Sequence, residues 1–562
     1  MVEWMSKLAD KPGYYFLVAA VGIVGAIATV ALYTLYLNIW SGTQLVLSHS
    51  DLFIFLFAFL ALAVSFVLVK FFAESKFTGS GTHVVLETYH LKNGETSLRD
   101  TIVKPLASVF TMGFGGSAGP EGPSLLVGGG LASNIAKRLK VRIHYLRRIF
   151  IAGAAAGLTA VFRTPLTGIL FALEIPYKSD LDMETFMEAV IATIPAYLIS
   201  VLILGSERFF GSVSGGEITL SDIGLSLILG IICGLYAIFF TKLFSLVGNA
   251  RISLRTKIGN LGLIIMGAVI LGVIGYYSLF AVGVGLNFIN EIVEGTSFTV
   301  AFVLAIVLLK TIATTVTLNF GGSGGLFFPT IVIGGGIGYA FSIASGNASN
   351  SIFFMAVGMA ALLSGTHKIL LTPTAFVVET LGGIYAVPAL VASGMSYLVS
   401  RGSTFYTVQP RTRLKTEELA VERFFYKAQK AIPEKLKQTV AADFMTAKPL
   451  YIPVGTTIIG ALQDFEKTRL RVLPIVDGDM RVVGAVTVED LGNVDAKHMN
   501  EELSDMLMHR PLTVGKDATL EEIAQLMMEK GEDHVFVVAE DETLIGVISG
   551  IDVVRKINEL SA

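Results

Sequence analysis

The chain has little of what a disulfide-bonded, nucleic-acid-binding or water-soluble protein needs. Its 562 residues include one cysteine, Cys233, which excludes a disulfide framework. Only 15% of the residues are charged and the net charge is −3; without a basic stripe, nucleic-acid binding is disfavoured. The chain also has no P-loop, so ATP hydrolysis is not expected. What it does have is 53% hydrophobic residues and a mean hydropathy of +0.68, so most of the chain needs lipid.

The charged residues are concentrated in the C-terminal part of the chain. Residues 411–562 hold 19 Lys and Arg and 26 Asp and Glu, against 23 and 19 in the first 410 residues. This contrast predicts a membrane domain over 1–410, followed by a water-exposed domain. Residues 411–440, rich in Lys, Arg and Glu, predict a solvated linker helix between them.

Apolar runs recur throughout the first 410 residues. The first run, residues 14–37, is long enough for a tilted membrane span, and the lysines at positions 7 and 11 favour a cytoplasmic N-terminus. Between later long runs lie shorter apolar pieces that Gly and Pro interrupt. In lipid, such pieces are tolerated only where protein or a water-filled cavity satisfies their backbone groups. The pattern therefore predicts a polytopic α-helical membrane domain.

The membrane part contains an internal repeat. Residues 114–132 read FGGSAGPEGPSLLVGGGLA and residues 320–338 read FGGSGGLFFPTIVIGGGIG, with nine identities in 19 positions at an offset of 206. A second pair, GILFALE ending at Glu174 and PTAFVVE ending at Glu379, is offset by 205. These pairs predict two homologous halves, about 14–205 and 220–400, with a transport site at their interface. The residues alone leave open whether the halves run parallel or antiparallel.

Each copy of the repeat has a Gly-rich loop directly before a GGG run. A loop of this kind places a helix N-terminus, whose free N–H groups and positive dipole end favour an anion. Close helix packing through small residues also accounts for the GGG runs, but it does not account for the loops. Because burying a bare anion costs roughly tens of kcal/mol, an anion site in lipid must supply many donors. The repeat therefore predicts an anion pathway.

Four motifs resemble those of the CLC family of chloride channels and chloride/proton exchangers. Residues 79–81 (GSG) are similar to the family's GSGIP, 119–123 (GPEGP) to GREGP or GKEGP, and 325–329 (GLFFP) to GxFxP. Tyr406, in STFYTVQ, lies where the family has its late pore tyrosine. The resemblance implies a CLC-type fold with an inverted repeat, transport of chloride rather than enzymatic activity, and a homodimer with a separate pore in each subunit.

The resemblance also implies a chloride site. The Ser80 hydroxyl and the Tyr406 phenol would donate to a central chloride, together with the backbone N–H groups of Leu326 and Phe327. Hydroxyls and amides stabilise chloride without trapping it as a full positive charge would. Taken alone, Ser80 also suits a helix N-cap, and Tyr406 suits an anchor at the membrane interface.

By the same resemblance, Glu121 would be the gate. A carboxylate at a helix start competes with chloride for the same donors, and protonation removes that competition. Proton and chloride occupancy would then be linked. The alternative is a carboxylate that only satisfies a helix N-terminus.

Two positions depart from the family pattern and leave the coupling mode open. Pro120 replaces the basic residue of GREGP, which removes a positive charge beside the gate. Ile175 follows Glu174 where exchangers of the family usually have a second glutamate, the internal proton acceptor. Ile175 supports a passive channel, whereas the intact Glu121 supports a chloride/proton exchanger that uses water or another group for the inner proton route. We favour the exchanger if the source is prokaryotic.

A second repeat lies in the charged C-terminal part. GAVTVED (484–490) and GVISGID (546–552) are offset by 62, and each follows an alternating apolar strand. This pattern resembles a tandem CBS pair (a Bateman module) with α/β domains over 441–495 and 496–562, on the cytoplasmic side.

In the CBS family the endings of these two motifs often contact adenosine nucleotides. By resemblance, Thr487 and Ser549 would face phosphate, and Asp490 and Asp552 would accept from ribose hydroxyls. ATP, ADP or AMP would then regulate transport through differential affinity for two states, and no cofactor or metal is required. The alternative is that both endings are helix caps in a purely structural module.

A different class of function is a CBS-containing divalent cation transporter. Such a path needs several membrane carboxylates that converge on the ion. The four candidates do not lie on one acidic helix; they are Glu87, Glu121, Glu174 and Glu379. We therefore place this alternative well behind chloride transport.

Overall fold

A computed structural model describes residues 12–141, 143–210, 218–410, 421, 424–425, 428–429, 431–468, 470, 472–492, 499–503, 511–530 and 532–561. The chain divides into two compact units at residues 413 and 414, and each is described by itself.

The first unit is entirely helical in its described regular structure. Most helices end at Gly, Pro or polar breaks, and the short ones match the interrupted apolar pieces of the sequence. In chain order they are α1 (Pro12–Leu47), α2 (Phe53–Phe72), α3 (Gly81–Leu91), α4 (Leu98–Gly113), α5 (Glu121–Arg138), α6 (Ile143–Phe162), α7 (Pro165–Glu174), α8 (Phe186–Leu204), α9 (Leu220–Tyr277), α10 (Leu286–Val293), α11 (Val300–Asn319), α12 (Phe327–Ala344), α13 (Ser351–His367), α14 (Leu371–Thr380) and α15 (Ala386–Val399).

Several of these helices suit a lipid environment. Within the described ranges, eight helices are long and apolar enough to cross a membrane. Large apolar side chains on the outer helices are exposed, among them Leu202 and Tyr277, whereas α12 and most of α6 are buried inside the bundle. The protein is therefore an integral, multi-pass membrane protein. Helix α9 is broken at Gly259, whose φ of +69° favours glycine, so it forms two spans, as its two apolar runs predict.

The two halves of the first unit repeat the same elements in inverted orientation. Helices α5 and α12 begin and end at positions that differ by 206, and so do α7 and α14. Glu174 at the end of α7 binds the start of α14, while Glu379 near the end of α14 binds the start of α7. These contacts require α7 and α14 to run antiparallel, as inverted halves do.

The second unit is an α/β structure built on two sheets. The strands are β1 (Thr446–Ala447), β2 (Ile452–Pro453), β3 (Val472–Val476), β4 (Val482–Thr487), β5 (Thr513–Gly515), β6 (His534–Val538) and β7 (Leu544–Ser549). The helices are α16 (Pro433–Gln438), α17 (Ile458–Thr468), α18 (Val488–Gly492), α19 (Leu520–Lys530) and α20 (Gly550–Ser561).

One sheet has the strand order β1-β7-β6-β5 and the other β2-β3-β4. In each sheet one neighbouring pair is parallel (β5 with β6, β2 with β3) and the following hairpin is antiparallel.

A small apolar cluster joins the two sheets of this unit. It contains Val476 and Ala485 from one sheet and Phe536 and Leu544 from the other. The first ten residues of the predicted linker helix, 411–420, lie outside the described residues. The described positions between 421 and 431 are helical, and α16 follows them.

Candidate functional site

Three glycine-containing loops meet in the middle of the membrane unit. The Gly81 N–H donates to the Gly324 carbonyl at 2.8 Å, and the Gly324 N–H donates to the Gly79 carbonyl at 3.1 Å. Gly119 and Gly325, which are equivalent in the repeat, exchange two N–H···O bonds of 3.0 and 2.9 Å. This pairing holds the N-termini of α3, α5 and α12 together. Free N–H groups and positive dipole ends are thus concentrated at one buried point.

The Glu121 carboxylate occupies this point. Glu121 is the first residue of α5 and is fully buried, and its Oε1 accepts the N–H of Phe327 at 2.6 Å. A Cβ at Gly119 would lie 2.0 Å from Oε2, and a Cβ at Gly325 would lie 1.8 Å from Oε1. Both positions must therefore be glycine for the carboxylate to fit. We call this place, between Gly119, Gly325 and the Phe327 N–H, the carboxylate seat.

Three hydroxyl groups lie beside the carboxylate seat. The Tyr406 side chain is completely buried, and its hydroxyl faces those of Ser80 and Thr82. In the part of the chain that the structure describes, the Tyr406 and Thr82 hydroxyls and Glu121 Oε2 have no hydrogen-bond partner. An unsatisfied buried polar group costs about 1–3 kcal/mol, so a cluster of them indicates a site for a polar ligand. We call the space among Ser80, Thr82 and Tyr406 the central site.

The residues predicted to bind chloride are brought together here. Ser80 is the N-cap of α3, although its contact from the His83 N–H is long at 3.5 Å. Leu326 is the N-cap of α12, and Phe327 is its first residue. Sequence reasoning missed Thr82 as a lining residue. The signal was present, because Thr82 is a polar residue two positions after Ser80 where the resembling motif has isoleucine.

A buried lysine binds the loop that leads to the carboxylate seat. Lys310 on α11 is fully buried, and its Nζ donates to Ser117 Oγ at 3.2 Å and to the Gly283 carbonyl at 3.1 Å. Ser117 lies on the loop that ends at Pro120 and leads into Glu121. The loop that carries Pro120 in place of a basic residue is therefore bound by a lysine from α11, a contact that sequence reasoning did not find.

Comparison with known proteins identifies this arrangement. A model of the voltage gated chloride channel family matches residues 59–401, more than half of the chain. The chain belongs to this family. As a member of the family it is a membrane transport protein for chloride and not an enzyme, and the divalent cation alternative gains no support.

Relatives and a solved structure agree with the family assignment. The chain is 28% identical over 328 residues to an uncharacterized protein of Methanocaldococcus jannaschii, covering 58% of this chain and 81% of that protein. It is 25% identical over 331 residues to the H(+)/Cl(-) exchange transporter ClcA of Vibrio campbellii, covering 56% and 70%. Its fold is similar to that of a slow cyanobacterial Cl-/H+ antiporter, with a TM-score of 0.62 and 20% identity, covering 70% of this chain and 95% of that one.

In this family member, Ile175 lies at the end of α7 and is fully buried. The Gln409 side-chain amide donates to the Ile175 carbonyl at 2.8 Å and to the His367 carbonyl at 3.3 Å. Ile175 and His367 are therefore close neighbours. The His367 ring in turn packs against the rings of Phe327 and Tyr406, with centroid distances of 6.0 and 5.4 Å. Sequence reasoning did not single out His367.

Glu174, next to Ile175, is fully engaged in binding the start of α14. Its Oε1 accepts the N–H groups of Leu370 and Leu371 at 3.0 and 2.7 Å. Its Oε2 accepts the N–H and the hydroxyl of Thr372 at 2.7 and 2.6 Å. Glu379 binds Leu166 and Thr167 at the start of α7 in the same manner. Both carboxylates act as caps of opposing helices, which is a structural role.

The second unit matches the CBS domain model twice, over residues 440–494 and 503–559. The chain therefore carries two CBS domains. Thr487 and Ser549 each donate their N–H and hydroxyl to the aspartate three residues later, Asp490 and Asp552. Each aspartate N–H donates back to the hydroxyl, so both pairs form helix caps.

A cavity of about 510 Å³ lies between the two CBS domains and takes in one of these caps. Ser549 and Asp552 line it, together with His534, Lys448 and residues 472–474 of β3. Thr487 and Asp490 are not among its lining residues. Of the two predicted nucleotide sites, it is the second cap that lines this cavity, which is large enough for a small ligand.

Proposed function

We propose that the protein exchanges chloride for protons across a membrane, and that the Glu121 carboxylate and chloride compete for the same buried donors. In this proposal chloride binds at the central site, held by the hydroxyls of Ser80 and Tyr406 and by the N–H groups of Leu326 and Phe327. Protonation of Glu121 frees the carboxylate seat for chloride, and chloride leaves when the carboxylate returns.

The observation that carries the proposal is the bond from the Phe327 N–H to Glu121 Oε1. An acidic side chain occupies a donor at a helix N-terminus, where an anion is stabilised. The Oε2 atom of the same carboxylate has no hydrogen-bond partner among the described residues. A proton on Oε2 would therefore cost no existing hydrogen bond, and it would weaken the attraction to Phe327 by removing the charge.

Relatives support the coupled form of transport. The Vibrio campbellii relative carries the name of an exchange transporter, and the fold neighbour is described as an antiporter. One observation favours a passive, voltage- or pH-gated channel instead: Ile175 cannot carry a proton. The channel is therefore the second candidate.

A reversal-potential measurement distinguishes these two functions. The full chain is reconstituted in liposomes with a chloride gradient, and the potential of zero current is recorded with and without a pH gradient. Exchange predicts that the pH gradient shifts this potential, because each cycle moves protons against chloride. A potential set by chloride alone would show a passive channel. Liposomes that remain chloride-tight would contradict both functions.

We also propose that an adenine nucleotide binds in the cavity between the CBS domains and regulates transport. Asp552 Oδ2 is used by the cap, whereas Oδ1 accepts from the exposed Arg555 guanidinium at 3.3 Å. This oxygen is suited to accept from a ribose hydroxyl, and Lys448 supplies a cation for phosphate on the same cavity. Thr487 and Asp490 do not line this cavity, and we assign one nucleotide per chain to it.

Calorimetry on the full chain tests this assignment. ATP, ADP and AMP are titrated into the detergent-solubilised protein, and at least one is expected to bind with a stoichiometry of one per chain. Lys448→Met should weaken binding of that nucleotide by about ten- to a hundredfold, since removing a phosphate contact of this type costs about 1.5–3 kcal/mol. Asp490→Asn, away from the cavity, is the control and should leave the affinity unchanged. Absence of binding by all three would leave the CBS pair a structural module.

We further propose a homodimer with a pore in each subunit, and both termini on the cytoplasmic side. The family assignment supports the dimer, and the lysines at positions 7 and 11 support the orientation. Mass measurement in detergent and protease access in sealed vesicles check the two statements separately.

A further inference from the structure

Ile175 stands where exchangers of the family usually have the glutamate of the inner proton route. A buried histidine, His367, lies close to this position. His367, the last residue of α13, is fully buried and linked to Ile175 through the Gln409 amide. On its other side the ring contacts Tyr406, whose hydroxyl lies at the central site. His367 is therefore a neighbour both of the residue that replaces the glutamate and of a side chain of the central site.

The hydrogen bonds around His367 assign its tautomer. The Thr366 hydroxyl donates to the Leu362 carbonyl at 2.9 Å, so its oxygen is free to accept from His367 Nδ1, which lies 2.9 Å away. Nδ1 then carries the hydrogen, and Nε2 carries the lone pair. Nε2 is buried and has no hydrogen-bond partner among the described residues. The ring thus presents an unused proton acceptor inside the membrane unit.

The charged groups around His367 form hydrogen bonds with other residues. Glu174 is bound to the start of α14. The Lys368 ammonium donates to Ser400 Oγ at 2.6 Å and to the Tyr397 carbonyl at 3.2 Å. From α12 the ring of Phe327 faces the imidazole, and from the loop after α15 the rings of Phe405 and Tyr406 do so. None of these groups is a carboxylate able to take the proton in place of His367.

We propose that His367 carries the proton on the inner route that Ile175 cannot serve. The inference rests on the proposed exchange. In one step the Nε2 lone pair takes a proton from a hydronium ion that enters past Ile175, which leaves water and an imidazolium. In the next, the imidazolium gives this proton through water to the Glu121 carboxylate, and neutral imidazole is restored. No bond other than those to the moving proton forms or breaks.

This position also explains how the two ions would be linked. A buried imidazolium is costly by itself, but chloride held by the Tyr406 hydroxyl would lie beside it and offset the charge. A proton therefore reaches His367 more readily when chloride occupies the central site. Linkage of this kind is reciprocal, so the proton also favours chloride binding.

Paired flux measurements on the reconstituted full chain test the proposal. A chloride gradient drives transport while chloride and proton movements are recorded in the same vesicles. His367→Asn keeps a donor for Thr366 but cannot carry a proton, and proton flux should fall at least about tenfold while chloride flux continues. The double variant with Ile175→Glu should recover proton flux, because the family's usual acid is then present. The matched control is His90→Asn, since His90 Nε2 is already bonded to the Pro176 carbonyl at 2.8 Å.

The outcomes separate this inference from the proposed function. If the natural chain moves no protons, the exchange itself is wrong. If the natural chain exchanges and His367→Asn keeps the same proton-to-chloride ratio, only the role of His367 is wrong. If His90→Asn, and not His367→Asn, changes the proton-to-chloride ratio, the inner proton route does not pass through His367 and the inference is overturned. Should His367→Asn fail to fold, Thr366→Val serves in its place. This variant keeps the imidazole but removes the hydroxyl that holds the hydrogen on Nδ1. It should lower the proton flux and leave the chloride flux unchanged.

Discussion

Glu121→Gln is expected to abolish proton movement and to make chloride transport independent of pH. Glutamine has nearly the shape of glutamate, but it cannot take up a proton. In the natural chain, chloride transport should increase as the pH falls, because protonation removes the charge that holds the carboxylate at the Phe327 N–H. In the variant this dependence disappears, and proton flux should fall by about a hundredfold or more. Chloride and proton electrodes applied to the same vesicles measure both effects.

A second variant changes the carboxylate seat but keeps the acid. Gly325→Ala would place a methyl group 1.8 Å from Glu121 Oε1, so the carboxylate could no longer occupy the seat. Chloride flux near neutral pH is then expected to increase, since the competing anion is displaced. If Glu121→Gln kept the pH response of the natural chain, or Gly325→Ala left chloride flux unchanged, competition at the seat would be refuted.

Glu174→Ala is expected to have the largest effect on stability. The carboxylate accepts four hydrogen bonds at the buried start of α14, and alanine leaves all four donors without an acceptor. With about 1–3 kcal/mol for each unsatisfied buried donor and partial relaxation of the helix end, we expect a loss of at least about 3 kcal/mol. A lowered thermal unfolding midpoint in detergent is the measurement.

Two variants calibrate this prediction. Glu174→Gln retains one acceptor oxygen and should cost less than Glu174→Ala. Glu379→Ala removes the equivalent cap at the start of α7, which has three bonds, and should cost slightly less than its counterpart. An unchanged midpoint in Glu174→Ala would contradict the capping role.

The sequence predicts the helical elements and the repeat well for a physical reason. A span must be apolar over its whole length, and a break must show as Gly or Pro, so both leave a local pattern. The repeat then locates α5 and α12 and, with them, Glu121 and Phe327. The family resemblance brings in Ser80 and Tyr406, which the local pattern alone leaves as a cap and an anchor.

Contacts between distant segments could not be predicted in this way. Lys310 reaches Ser117 across 193 positions, and the Gln409 amide joins His367 to Ile175. The segments GILFALE and PTAFVVE are recognisable as a repeat in the sequence. Their glutamates cap each other's helices because α7 and α14 run antiparallel, and the sequence alone leaves that orientation open. For the CBS pair, the two similar endings do not indicate the cavity that Ser549 and Asp552 line.

The repeat equivalent of Glu121 is Phe327, because the two positions differ by 206, and these are the residues whose carboxylate and N–H meet in the carboxylate seat. Two identical half-length chains would bring either two acids or two phenylalanines to this place. Two acids would repel each other, and two phenylalanines would have nothing to titrate. Joining the halves in one polypeptide allowed them to diverge. One half now contributes the titratable Glu121 carboxylate, and the other contributes the Phe327 N–H that binds it.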